Sequence, residues 1–142
     1  MKRRSFILTS VITGLSASSI FASNAPKTTP VKNEETDDNQ YIVHSVYFWL
    51  KPGISKEDEL EFLKYFELLK KIPGLKSLTF GKAAKTTVRP VTDNTFDYNL
   101  IVTFDNLEAI KKYETHPDHL KGSKAFEKYW EKVQVRDTYV SK

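Results

Sequence analysis

Tyr41-Ile-Val-His-Ser-Val-Tyr-Phe-Trp-Leu50 is the stretch on which the fold turns. It is dense in β-branched and aromatic residues and runs into Pro52-Gly53, the composition and the stop of a β-strand. Side chains alternate across a strand, so Ile42, Val46, Phe48 and Leu50 share one side while Tyr41, Val43, Tyr47 and Trp49 share the other. An antiparallel sheet with one wet face alternates apolar with polar residues. Here both sides of the strand are apolar, and both need cover. Helices of the same chain supply one cover, and a second copy of the sheet supplies the other, giving a two-fold homodimer. The competing explanation is an aromatic platform for a large ligand on a monomer.

Working outward, Ser55 followed by Asp58 opens a helix through a capping box. That helix is expected to run to Ile72-Pro73-Gly74, with Leu60, Leu63, Phe66, Leu69 and Ile72 as its apolar stripe, widened by Phe62 and Leu68. A second strand is expected from Leu75 to Lys82, then a polar hairpin through Arg89-Pro90 and Asp93-Asn94, then a third strand from Phe96 to Phe104. Asn106 caps a short helix ending near Thr115. Pro117 suits the first position of a further helix with His116 as its cap. Leu120, Phe126, Tyr129, Trp130 and Val133 are assigned to that helix, and Val133 to Val140 to a last strand. The order β-α-β-β-α-α-β describes a ferredoxin-like α+β fold with a four-stranded antiparallel sheet and its helices on one face.

The segment ahead of this domain has a different composition. Lys2-Arg3-Arg4 and an apolar, hydroxyl-rich run from Phe6 to Ala22 form the pattern of a secretory signal peptide over residues 1–22. Arg3-Arg4-Ser5-Phe6-Ile7 also fits a twin-arginine signal, and both export routes stay open. Residues 23–40 are polar, with two prolines and no apolar period, and are expected to be a disordered linker to a domain at 41–142. The mature protein is therefore expected outside the cytoplasm, periplasmic or secreted, with no membrane association after cleavage.

Export changes the electrostatics. The chain carries a formal charge of +4. Without Lys2, Arg3 and Arg4 it has 19 basic against 18 acidic groups, a net charge of +1. So balanced a domain offers no basic footprint for nucleic acid, and Phe96-Asp-Tyr-Asn-Leu-Ile-Val-Thr-Phe104 lacks the glycine–aromatic signature of an RNA-reading sheet. The absence of cysteine excludes disulfides, thiol nucleophiles and thiolate metal sites.

Chemistry-bearing residues concentrate in Tyr113-Glu-Thr-His-Pro-Asp-His119, which holds two of the three histidines. The third, His44, lies on the helix-facing side of the first strand. Together with Ile72-Pro73-Gly74-Leu75, Gly81 and Asp137, these residues resemble the stress-responsive α/β-barrel (Dabb) family from about Tyr41 to Tyr139. The resemblance implies a homodimer whose two sheets face each other as a barrel. One branch of that family contains plant polyketide cyclases, which promote an intramolecular aldol condensation in a cavity between sheet and helices. Their catalytic tyrosine and histidine match Tyr113 and His119, and His44, Tyr65 and Asp137 match cavity or supporting positions. Where those cyclases carry histidine on the third strand this chain carries Tyr98, and the hairpin loop differs.

An aldol cyclisation needs a base beside a carbonyl and a donor for the developing enolate. The expected assignment has His119 as base, Tyr113 as donor and Asp137 orienting the His119 imidazole. His44, Tyr65, Tyr98 and His116 complete the expected ligand-contacting set, around a small apolar or aromatic molecule. The alternative is a non-catalytic, stress-associated dimer in which the same groups are structural hydrogen-bonding partners. No cofactor is expected, and no metal: Pro117 separates His116 from His119, and zinc-ligand spacings are absent. Lys82, Lys85 and Arg89 are read as a solvated hairpin rather than an anion site.

Overall fold

The computed structural model describes residues 39–142; the expected signal peptide and all but the end of the linker lie outside the described residues. The elements are β1 (Gln40–Leu50), α1 (Lys56–Leu69), β2 (Ser77–Lys82), β3 (Tyr98–Phe104), α2 (Leu107–Glu114), α3 (Pro117–Phe126), a 3₁₀ turn (Glu127–Tyr129) and β4 (Trp130–Ser141). The sheet order is β2-β3-β1-β4 with every pair antiparallel. This is the ferredoxin-like arrangement expected. The caps are also as expected: Ser55 Oγ accepts from Asp58 N at 3.0 Å and Asn106 Oδ1 from Ala109 N at 2.9 Å. These bonds satisfy amides that the first helical turn leaves without partners.

α1 departs from the expectation at its end and on its face. It stops at Leu69. Lys71 N and Ile72 N instead reach back three residues, to Leu68 O and Leu69 O, both at 3.1 Å, a 3₁₀ tightening that leads into Gly74 at φ +94°. The buried face is Phe62, Tyr65, Phe66 and Leu69, while Leu60 is 56% exposed. A strict three-residue spacing winds off a helix of 3.6 residues per turn, so Leu60 and Leu69 cannot both face the sheet.

The C-terminal assignment is also corrected. Trp130 and Val133 belong to β4, Tyr129 to the 3₁₀ turn, and Leu120 is 57% exposed. Pairing with β1 decides this. Trp130 lies opposite Leu50 and Val133 opposite Phe48, and the ladder outcompetes a helical spacing that the local residues also satisfy.

The core lies between the helices and the inner face of the sheet. Phe48 is its hub, with ring centroids 5.4 Å from Phe62, 5.4 Å from Phe66 and 5.3 Å from Trp130. On the outer face the expectation of an apolar surface holds along β1 but not across the sheet. Tyr41, Val43, Tyr47 and Trp49 are half-buried. Around them stand Asn99 on β3 and Lys132, Gln134 and Arg136 on β4. Lys132 Nζ sits 3.9 Å from the Trp49 ring and Arg136 5.6 Å from that of Tyr47. An edge strand with long charged side chains resists stray pairing, while the central strand keeps its aromatic row.

Candidate functional site

A cavity of about 400 Å³ opens between the sheet and the helices. Its apolar wall is built from Val46 and Phe48 on β1, Leu69 on α1, Leu100 on β3 and Trp130, Val133 and Val135 on β4. Polar groups enter from four elements: His44, Tyr65, Tyr113 and, from α3, His119 and Ser123. A mostly apolar concavity with a few convergent polar groups is the usual form of a small-molecule site.

The turn from α2 to α3 brings the polar groups together. Tyr113 lies in the last turn of α2 and His119 in the first turn of α3, and their rings meet edge-on at 4.7 Å. The Tyr113 ring also lies 6.1 Å from that of His44. Burial holds the Tyr113 phenol well above its ordinary pKa, so it stays a hydroxyl. His119 is displaced the other way: burial, then repulsion from His44, disfavour its charged form, against a hydrogen bond at the Glu114 backbone. Its Nδ1 is fully buried with no hydrogen-bond partner. Tyr65 is likewise pushed up by burial, and its hydroxyl lies 2.7 Å from Ser123 Oγ.

Asp137 is not where the sequence reading put it. Its Oδ1 lies 2.7 Å from His44 Nδ1, not against His119. The register explains this, because His44 and Asp137 are directly opposed on neighbouring strands and so project from the same face. His119 arrives from a helix with no carboxylate in ion-pair contact among the described residues.

Two other expected contact residues lie elsewhere. Tyr98 is absent from the cavity lining; its hydroxyl donates to Glu59 Oε1 at 2.6 Å, and Lys82 Nζ meets the same oxygen at 2.6 Å. These contacts hold the Glu59 carboxyl below its ordinary range, clasping α1 to the sheet edge. His116 caps α3, its Nδ1 accepting from Asp118 N at 3.2 Å, and lines a separate groove with Pro73 and Lys112. On the hairpin, Arg89 Nε reaches Thr92 Oγ1 at 3.3 Å and Lys85 is exposed. Among the described residues no three histidine, aspartate or glutamate side chains are grouped to hold a metal.

Sequence reasoning missed Ser123 and Trp130. Ser123 was within reach, since four residues on from His119 it shares that helical face. Trp130 was hidden by its assignment to a helix.

An antiparallel ferredoxin-like sheet with a polar-tipped cavity beneath its helices is thus the class of protein defined here. Residues 42–140 match the family described as "Stress responsive A/B Barrel Domain" (Dabb), and the chain belongs to that family. It is similar to olivetolic acid cyclase of Cannabis sativa, at 27% identity over 97 residues, covering 68% of this chain and 93% of the cyclase. Among solved structures it resembles a dimeric ferredoxin-like protein of unknown function from Bacteroides fragilis (25% identity, TM-score 0.55, covering 70% of this chain and 96% of that one). A hydroxynitrile lyase from Passiflora edulis shares the fold (19% identity, TM-score 0.63, covering 73% and 96%).

Proposed function

We propose that this chain is an exported homodimer that holds a small apolar or aromatic carbonyl compound between sheet and helices and promotes proton transfer on it, as a cyclase does. The observation that carries the reading is the cavity of about 400 Å³ into which Tyr113, His44 and His119 converge, with His119 Nδ1 buried and unpartnered. A buried polar atom without a partner costs roughly 1–3 kcal/mol, and a guest with a carbonyl or hydroxyl group would satisfy it. Tyr113, held as a hydroxyl, is placed to donate to an oxygen on which negative charge develops. The likeness to olivetolic acid cyclase supports the cyclase class. The dimeric Bacteroides fragilis neighbour and the aromatic row on the outer face of β1 support the homodimer. The basic and apolar residues 1–22 support export.

The test is protein-observed NMR titration with 4-phenylbutan-2-one, a ketone carrying one aromatic ring, alongside light scattering. The expected result is a dimer mass and shifts confined to the cavity residues, lost in His119→Ala while the dimer persists. A monomer mass refutes the assembly. A lower melting temperature in His119→Ala with unchanged ketone binding reduces the cluster to a structural role.

A further inference from the structure

The two imidazoles that face the cavity are not equivalent. His44 sits on the central strand with 5% of its surface exposed, and its Nδ1 is engaged by Asp137 at 2.7 Å. An ionised carboxylate only accepts hydrogen bonds, so Nδ1 carries the proton and Nε2 keeps the lone pair. The Asp137 side chain is 49% exposed on the edge strand, so its carboxylate keeps contact with water while its partner is buried. A buried imidazolium needs a paired charge, and of the two cavity histidines only His44 has one. His119 has a buried, unpartnered Nδ1 instead.

The geometry points to His44, oriented by Asp137, as the base that takes a proton from the carbon beside the substrate carbonyl, with His119 as a hydrogen-bonding partner of that carbonyl. This rests on the small-molecule reading above. The C–H bond breaks toward His44 Nε2, and its electron pair becomes the enolate. The enolate oxygen accepts a hydrogen bond from the Tyr113 hydroxyl. The imidazolium is stabilised by Asp137, which holds the ring and its tautomer without itself taking the proton. Once the enolate carbon has bonded to a second carbonyl, Nε2–H returns its proton to the new alkoxide, and His44 is restored. Both members of the pair stand on hydrogen-bonded strands, so their relative position is held by the sheet rather than by a loop.

The titratable groups around His44 are Asp137 from β4, Tyr65 from α1, Tyr113 and Glu114 from α2, and His119 from α3. β3 brings none opposite it, since Val102 is the partner there.

The test follows deuterium uptake from D₂O beside the carbonyl of 4-phenylbutan-2-one, with long-range ¹H–¹⁵N spectra of the histidine rings. The native chain should exchange the ketone protons and show His44 protonated on Nδ1. His44→Gln should slow exchange about 10²–10⁴-fold, the range for a lost general base. Asp137→Asn should slow exchange and move the basic limb of its pH profile to lower pH, because the imidazolium loses its counter-charge; a purely structural carboxylate would leave that limb in place. His119→Gln should weaken ketone binding and keep the limb. Melting curves and light scattering confirm that each variant is folded, and Asp137→Asn, at an exposed edge, stands in if His44→Gln is not. Exchange surviving in His44→Gln but abolished in His119→Gln overturns the assignment, as does an unmoved limb in Asp137→Asn or a His44 proton on Nε2. A ketone that shifts the cavity resonances without exchanging overturns the base and leaves the binding reading intact. A ketone that leaves those resonances unmoved overturns both.

Discussion

Replacing Gly122 with alanine sets two effects of known size against each other. Gly122 lies mid-way along α3 where that helix crosses α1. A Cβ there would stand 2.9 Å from Leu68 Cδ2, 2.9 Å from Tyr65 Cε2 and 3.3 Å from Tyr65 Cδ2. Carbon atoms at rest are about 3.5–4.0 Å apart, so the neighbours must yield by roughly 0.6–1 Å. Leu68 is half-buried and its methyl can rotate away. Tyr65 cannot give so easily. Its ring stacks on Phe126 at 5.4 Å and Trp130 at 5.7 Å, and its hydroxyl is tied to Ser123. Overpacking of this kind costs about 1–3 kcal/mol, whereas glycine to alanine in a helix gains about 1 kcal/mol. The net expectation is a loss of about 1 kcal/mol, or some 4–8 °C in Tm for a domain of this size. Because Tyr65 and Ser123 both line the cavity, ketone affinity should fall with stability. Circular-dichroism melts and the NMR titration read the two together. A Tm that rises by a few degrees with unchanged affinity, as helix propensity alone would give, refutes the packing argument.

Two further outcomes follow from the same structure. Phe62→Ala empties a position with no exposed surface and ring contacts to Phe48, Phe66, Tyr98 and Trp130; urea denaturation should show a loss of about 3–5 kcal/mol, and a loss below about 1 kcal/mol would contradict the core described. His119, whose folded-state pKa is lowered chiefly by burial, binds its proton more readily when the chain is unfolded, so its stabilising contribution is complete above the ordinary histidine pKa of about 6.5 and is lost as pH falls through that value. His119→Gln should therefore flatten the stability–pH curve between about pH 7 and 5, and an unchanged slope in urea melts would remove His119 from the cause.

Most of the fold was legible because its signals are local. The β-branched and aromatic run of β1, the Ser55 and Asn106 caps and the Pro117 helix start each depend on a few adjacent residues, and each element formed where expected. The errors arose where two local patterns competed. Tyr129, Trp130 and Val133 fit a helical spacing, but pairing opposite Leu50 and Phe48 placed Trp130 and Val133 in a strand. Leu60 looked like core because a three-residue period imitates a helical face over two turns and fails over four.

The candidate site was legible as a set of residue types and not as a set of pairs. The amino-acid sequence by itself determined the element order, the aromatic row on the outer face of the central strand, and the gathering of Tyr113, His116 and His119 around one turn. Those follow from chain-local alternation, capping and the rigidity of Pro117. Only the tertiary structure decided which of these groups meet. The β1–β4 register gave Asp137 to His44, the α1–β3 contact took Tyr98 away to Glu59, and the α2–α3 turn left His119 Nδ1 without a partner. Each is a contact between residues far apart in the chain, set by strand register and helix docking, which no local pattern encodes.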